Sequence, residues 1–166
     1  FEQEVEDIVK RGVEEDVQAD NIAMEVNGRK FAHDKTFGDC SVVIVSSILQ
    51  SLPAAASRKE AFAGATALIK KWKGLIKKFT RNTADQTRVI HVLESFVVMD
   101  QWKAHKLMMP ILKALYDEDI VEEDAILDWA TDSESSGSAQ TKQLCAECKQ
   151  LIEFLQQDDD DDDDDE

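Results

Sequence analysis

Residues 62–79, FAGATALIKKWKGLIKKF, decide the fold class of this chain. Their apolar side chains recur at steps of three and four, from Phe62 through Trp72 to Phe79, and lysines fill many of the positions between them. Such steps place side chains on one face of an α-helix. The stretch therefore predicts a helix of about five turns, with one apolar face and one basic face.

The same spacing continues on both sides of this helix. It predicts further helices near residues 1–12, 22–29, 37–52, 89–97, 107–115, 120–129 and 144–155. Val42–Val45 could also form a strand, and we assign it to a helix because no second β-rich run exists to pair with it. Pro53 ends the helix before it. Asp119 and Glu122 have the spacing of a capping box that would begin the seventh helix, and Ser133–Ser138 has the composition of a polar loop.

About eight helices joined by short links indicate an all-α fold. Two architectures fit, a compact bundle and a HEAT-like stack of antiparallel helix pairs. No self-similar sequence period is visible, so periodicity alone does not choose between them.

The charge of the chain is strongly acidic and uneven. Its 166 residues include 19 Lys and Arg against 35 Asp and Glu, a net charge of −16, and residues 158–166 are all acidic. The length and a hydrophobic share of 43% predict one domain. We expect that domain over residues 1–157 and an acidic, disordered tail over residues 158–166. Such a surface favours a basic partner and disfavours DNA.

The N-terminal residues, the apolar runs and the cysteine count bear on the compartment in which we expect the protein. No apolar run of about 18 residues is present, so we expect no contact with a membrane. The chain begins at Phe1 with neither a Met nor a basic segment, which we interpret as a fragment of a larger protein without a signal peptide. Three cysteines do not make a disulfide framework, and we expect a reducing, cytoplasmic compartment.

No pattern for covalent chemistry stands out. Cys145 and Cys148 form a CxxC, but a zinc site needs a second ligand pair and a redox site needs a βαβ context. We therefore expect two small buried side chains, no metal and no cofactor. No nucleophile elbow or Gly-rich phosphate loop accompanies the three histidines, so we expect no covalent catalysis.

The basic stripe Lys70–Arg81 is interpreted as a solvated helix face, with a docking patch for an acidic partner or an RNA backbone as the alternative.

Two stretches combine acids with aromatic residues. The first covers residues 115–129 and the second begins with Leu151-Ile152-Glu153-Phe154-Leu155 and ends in the acidic run. In one interpretation the apolar residues belong to the core and the acids form a solvated surface. In the other, the combined electrostatic field of the acids attracts Lys-rich segments of a partner. The candidate partner-binding residues are Tyr116, Asp117, Glu118, Asp119, Glu122, Glu123, Asp124, Trp129, Asp158, Asp159 and Asp160.

These stretches resemble the paired aromatic/acidic boxes of the W2 domain, an all-helical, HEAT-like domain of translation initiation factors. Residues 1–27 add a resemblance to the exchange-catalysing segment of the epsilon subunits of initiation factor 2B. The matching residues are Phe1, Glu4, Val5, Arg11, Gly12, Glu14, Glu15, Asp20, Asn21, Glu25, Val26 and Asn27.

The resemblance implies a function. It implies guanine-nucleotide exchange on initiation factor 2, with release of GDP from the G domain of its gamma subunit and docking of lysine blocks on its beta subunit. It also implies contacts with other subunits of initiation factor 2B through a missing N-terminal part. Glu25 matches an acid that the family needs for exchange, and Phe154 occupies the position of an aromatic residue, usually Trp, that is also needed.

Three alternatives stay open at this point. The chain could be a W2 adaptor that binds Lys-rich partners without exchange, or a HEAT-like scaffold for RNA. Glu25 could simply satisfy free amides in the first turn of a helix.

Overall fold

The computed structural model describes the backbone of residues 1–164 and the side chains of residues 1–157. Ten α-helices and no strand are assigned within residues 1–164, which confirms the all-α prediction. They are α1 Glu2–Glu14, α2 Ala19–Ala32, α3 Phe37–Gln50, α4 Arg58–Phe79, α5 Thr83–Val97, α6 Asp100–Lys103, α7 Met108–Asp117, α8 Glu123–Ser136, α9 Ala139–Glu147 and α10 Lys149–Asp164.

The central helices begin at polar caps. Thr36 and Asp39 form a reciprocal capping box at the start of α3. Ser57 accepts a hydrogen bond from the Glu60 amide at the start of α4, and Asn82 caps α5 in the same manner. Each cap satisfies an amide that has no partner within the helix, and so fixes where the helix begins.

Three helices end in the same kind of turn. Asp16, Asp34 and Asp119 follow α1, α2 and α7 and have positive φ angles of 53°, 52° and 59°. After α7 the amide of Ile120 donates to the carbonyl of Leu115 at 2.9 Å, which closes a Schellman motif. Aspartate tolerates this left-handed conformation better than most residues.

That turn makes the predicted capping box of Asp119 and Glu122 wrong. Asp119 lies in the left-handed turn after α7, while α8 begins at Glu123 with Glu122 at the N-cap and no side-chain cap. Ile120 and Val121 lie between the two helices and are buried. The apolar residue that was assigned to the start of the seventh helix therefore packs from a connecting turn.

Two further boundaries differ from the expectation. The predicted polar loop begins only after Ser136, because Ser133 is buried and donates a hydrogen bond to the Trp129 carbonyl at 2.7 Å within α8. The predicted last helix is divided at Cys148 into α9 and α10. Together with the short α6, this division raises the count above the expected eight.

The helices form a HEAT-like stack in which contacts advance along the chain. α3 packs against α1, α4 and α5; α5 then packs against α7 and α8; and α8 packs against α9 and α10. α2 lies at one end, against α1 and α4. A continuous core of buried apolar side chains runs through the stack.

The last helix reaches beyond the expected domain boundary. α10 is assigned through Asp164, whereas the side chains of residues 158–166 lie outside the described residues. The division into a domain of residues 1–157 and a tail of residues 158–166 stays a prediction. No described helix is both long enough and apolar enough to cross a membrane.

Candidate functional site

Glu25 lies on α2 and its carboxylate meets a cation from α1. Arg11 Nη2 donates to Glu25 Oε2 at 2.6 Å, and the two side chains are 53% and 49% exposed. The pair therefore lies at the surface, where an incoming protein can reach it.

Gly12, the residue after Arg11, allows α1 to lie close enough to α2 for Arg11 to reach Glu25. A Cβ atom added at Gly12 would lie 2.5 Å from Ile22 Cδ1, far inside van der Waals contact. Ile22 is 1% exposed and belongs to the core. Gly12 therefore permits α1 and α2 to approach closely, which gives a packing reason for the Arg11-Gly12…Glu25 series.

Glu25 is not a first-turn residue, so the suggestion that it satisfies free helix amides is wrong. α2 begins at Ala19, and its first-turn acid is Asp20. The carboxylate of Asp20 accepts a hydrogen bond from Lys78 Nζ at 2.5 Å. That hydrogen bond and the charge of Lys78 lower the pKa of Asp20.

The acids of the first aromatic/acidic stretch divide into paired and unpaired groups. Glu118 forms an ion pair with Lys73 at 3.2 Å, and Asp117 with Lys113 at 3.6 Å. The exposed members with no ion pair among residues 1–157 are Asp119, Glu122, Asp124 and Asp128. Tyr116 and Glu123 are partly buried.

The structure adds two acids to this surface. Asp124, Asp128 and Asp132 lie four residues apart on α8, and all three are exposed. Residues at this spacing share one helix face, with a rise of about 6 Å between neighbours. We call these three residues the α8 acidic stripe. Asp128 and Asp132 were missing from the predicted site, although the four-residue spacing in the sequence would have identified them.

Trp129 is 1% exposed and belongs to the core. Its Nε1 atom donates to Glu94 Oε1 at 2.7 Å, which joins α8 to α5. We therefore leave Trp129 out of the contact surface that we predicted from the sequence, because its ring cannot reach a partner. Its role is to hold α8 in place beneath the exposed acids.

Phe154 is exposed. It lies on α10 with 51% of its surface accessible, between the buried side chains of Leu151 and Leu155. α10 packs against α8 and α9, whereas α2, which carries Glu25, packs mainly against α1 and α4. The structure thus places Glu25 and Phe154 on separate parts of the stack. Asp158, Asp159 and Asp160 fall among the side chains outside the described residues.

Residues 85–165 match the sequence family described as W2: eIF4-gamma/eIF5/eIF2-epsilon. The chain carries a W2 domain. The matched region begins in α5 and includes both aromatic/acidic stretches. The helices before it, with Arg11 and Glu25, lie outside the match.

Individual relatives extend the similarity toward those first helices. Translation initiation factor eIF2B subunit epsilon of Dictyostelium discoideum is 31% identical over 161 residues, which cover 93% of this chain and 22% of that protein. The subunit of the same name from Schizosaccharomyces pombe is 28% identical over 156 residues, with the same two coverages. Eukaryotic translation initiation factor 5 of Zea mays is 35% identical over 71 residues, 43% of this chain and 15% of that protein. The chain thus spans about a fifth of the length of the epsilon subunits.

Both cysteines of the CxxC lie in the core of the W2 domain. Cys145 is 4% exposed and its Sγ donates to the Ala130 carbonyl at 3.9 Å; Cys148 is fully buried. Burial raises the pKa of the Cys148 thiol to about 12. This supports the interpretation as small buried side chains, because a reactive cysteine needs a lowered pKa and access to solvent. Within the described residues no cluster of His, Cys, Asp and Glu is placed to hold a metal ion.

The basic stripe Lys70–Arg81 lies before the W2 match, on α4 and in the short link that follows it. Its lysines are exposed, and three of them meet carboxylates of the same chain. Lys71 pairs with Asp16 at 2.8 Å, Lys73 with Glu118 and Lys78 with Asp20. These pairs reduce the field that the stripe presents to a phosphate backbone and support its interpretation as a solvated face.

Proposed function

We propose that this chain promotes guanine-nucleotide exchange on translation initiation factor 2 by speeding the release of GDP. The observation that carries this proposal is the similarity to epsilon subunits of eIF2B over 93% of the chain. That range exceeds the W2 match, which alone would fit several initiation factors. We also propose a cytoplasmic location, and contacts with other subunits of initiation factor 2B through parts of the protein outside this chain.

Glu25 is the proposed exchange residue. A surface ion pair such as that of Arg11 and Glu25 contributes about 0–1 kcal/mol, so a basic group on the G domain of initiation factor 2 can displace Arg11 at little cost. Glu25 would then act on that G domain, in the gamma subunit, by charge or by hydrogen bonding. No bond between the protein and the nucleotide is made in such a step, and no cofactor is needed.

The acids of α7 and α8 are the proposed docking surface for lysine blocks on the beta subunit. The α8 acidic stripe presents three carboxylates at regular intervals, and Asp119 and Glu122 extend the negative surface. In this proposal Asp158, Asp159 and Asp160 add to the field, and the exposed ring of Phe154 receives a lysine by a cation–π contact. Docking there would raise the effective concentration of the G domain near Glu25.

The test measures release of labelled GDP from purified initiation factor 2, with and without this chain. We expect stimulated release, a loss of stimulation in Glu25→Gln, and no loss in Glu2→Gln, which removes an exposed charge from α1. Thermal melts verify that both variants fold. Stimulation that is equal in the two variants would remove Glu25 from the role, and no stimulation by the wild-type chain would contradict exchange by this chain.

A W2 adaptor without exchange activity is the second candidate. The observation that favours it is the match to initiation factor 5 of Zea mays, which covers 43% of the chain. An adaptor would bind a synthetic Lys-rich peptide through the α8 acidic stripe and leave GDP release unchanged. The same release assay, run beside a binding titration with that peptide, separates the two functions.

A further inference from the structure

Two large apolar side chains are exposed on α2. Met24 and Phe31 are each 72% exposed, more than any other large hydrophobic residue among the described side chains. They lie seven residues apart, which places them on one helix face about 10 Å from each other. The two side chains therefore give α2 an exposed apolar face that is accessible to a partner.

A groove runs beside this pair, between α2 and the end of α4. Met24 lines it together with Phe37, Phe79, Lys78 and Arg81. We call this surface, with the neighbouring side chains of Lys30 and Phe31, the α2 groove. Its volume of about 320 Å³ lies within the range of small binding sites.

A buried lysine lies beside the groove residues, close to two aromatic rings. Lys30 is 8% exposed, and its Nζ lies 4.0 Å from the ring centre of Phe31 and 4.6 Å from that of Phe37. None of the ion pairs among the described side chains includes Lys30. A buried charge without a carboxylate beside it is costly, so a carboxylate brought by a partner would stabilise it.

The other charges of the groove have the same sign. The Arg81 guanidinium lies 4.1 Å from the Phe37 ring centre and adds a second cation. Lys78 is the third, and the one carboxylate that lines the groove among the described side chains, Asp20, is paired with it. The chain as a whole carries a net charge of −16, so the α2 groove is a local reversal of sign.

We propose that the α2 groove binds an acidic segment of a protein partner that presents two apolar side chains. The apolar side chains would cover Met24 and Phe31, in the manner of an amphipathic helix on an apolar surface, and carboxylates would meet Lys30 and Arg81. We favour a peptide over RNA because the groove offers two cations without an ion pair among the described side chains, Lys30 and Arg81, whereas binding of a phosphate backbone depends on many cations.

This surface differs from the proposed exchange site in position and in sign. Glu25 follows Met24 by one residue and thus lies about 100° around α2, on the side that faces Arg11. Substitutions at Met24 and Phe31 therefore leave the Arg11–Glu25 pair in place. The lysine blocks that are proposed to bind the α8 acidic stripe would be repelled by the α2 groove. The proposal for the α2 groove is therefore tested independently of the proposed exchange function.

The test selects binders from a phage-displayed library of random peptides, with the full chain as bait. We expect enriched peptides to carry several acids and two apolar residues three, four or seven positions apart. The affinity of a synthetic copy should fall about tenfold or more in the Met24→Ser/Phe31→Ser double variant. It should also fall in Arg81→Gln and at higher salt. The matched control is Phe62→Ser/Met99→Ser, which removes two exposed apolar residues elsewhere and should leave the affinity unchanged.

Three results would overturn the assignment. The first is enrichment of basic peptides alone, and the second is equal affinity for the wild-type chain and the Met24→Ser/Phe31→Ser variant while its circular dichroism melt is unchanged. The third is tighter binding of a uridine oligonucleotide that is lost in the same variants, which would make the α2 groove a nucleic-acid surface.

Discussion

The indole of Trp129 donates a hydrogen bond to the carboxylate of Glu94 at 2.7 Å. The same carboxylate accepts hydrogen bonds from His91 at 2.8 Å and from Thr141 at 3.2 Å. Glu94 thus joins α5, α8 and α9, and its side chain is only 13% exposed. This joint lies in the layer that supports the α8 acidic stripe, so the exposed acids extend from a helix that is held in place by partly buried hydrogen bonds.

Trp129→Phe should destabilise the chain more than Trp102→Phe. Both indoles are 1% exposed, but Trp102 Nε1 has no hydrogen-bond partner among the described residues. Each substitution leaves a similar cavity, and only Trp129→Phe removes a hydrogen bond to a charged group. We expect the difference in unfolding free energy to be about 1.5–3 kcal/mol, measured by urea denaturation. Equal losses would show that the Trp129–Glu94 hydrogen bond adds nothing to stability.

Gly12→Ala and Gly28→Ala should change stability in opposite directions. A Cβ atom at Gly12 would lie 2.5 Å from Ile22 Cδ1, whereas one at Gly28 meets nothing within 4 Å. Both glycines are inside helices, where alanine is preferred by about 1 kcal/mol. We expect Gly28→Ala to raise the melting temperature. Gly12→Ala should lower it, because overpacking typically costs about 1–3 kcal/mol. A stabilising Gly12→Ala would mean that α1 and α2 do not need this close approach.

The buried thiol of Cys148 should make stability depend on alkaline pH. Burial raises its pKa from 9.0 to about 12. Between these values the unfolded chain has lost the thiol proton while the folded chain keeps it, so rising pH favours unfolding. The contribution is fully present below about pH 9 and falls by about 1.4 kcal/mol for each pH unit above it.

Urea midpoints of the wild-type chain and Cys148→Ala measure this effect. The difference between them should be constant from about pH 6.5 to about pH 8, where no thiol titrates, and should shift in favour of the variant by about pH 10.5. A difference that stays constant over the whole range would show that Cys148 ionises equally in both states.

The long helices could be predicted because a buried face leaves a periodic mark in the sequence. α4 is the clearest case, since its core positions recur at steps of three and four while its lysines stay exposed. Helix boundaries that depend on tertiary structure could not be predicted from such periodicity. Asp119 resembles an N-cap residue in the sequence, yet the backbone bonds that follow α7 place it in a left-handed turn. Ser133 resembles a loop residue but is buried within α8.

The candidate site was predicted in part for a similar reason. The composition indicated an acidic surface, and the resemblance to epsilon subunits of initiation factor 2B pointed to Glu25, but the partner of Glu25 lies 14 residues away on another helix. Pairing across such a distance depends on how helices pack, which one sequence does not reveal. The same limit applies to Trp129. An aromatic residue flanked by acids looks the same in the sequence whether its ring is buried or exposed.

The α8 acidic stripe should govern binding of lysine blocks. Asp124→Asn, Asp128→Asn and Asp132→Asn combined remove three exposed charges that share one helix face. The matched control, Glu2→Gln, Glu14→Gln and Glu15→Gln, removes the same net charge from exposed positions at the other end of the stack. If local geometry matters, the stripe variant should bind a synthetic Lys-rich peptide at least about tenfold more weakly, a change of about 1.4 kcal/mol. The control should bind almost as the wild-type chain does, because charges beyond about 10 Å are screened at moderate salt.

Salt and the exposed aromatic ring provide two further measurements in the same titration. Affinity for the peptide should fall with increasing salt in the wild-type chain and fall less steeply in the stripe variant, since fewer opposed charges meet. Phe154→Ala should weaken binding while lowering the melting temperature only slightly, because about half of the residue is exposed. Equal losses in the stripe variant and in its matched control would mean that net charge alone attracts the peptide, and would remove α8 as the docking element.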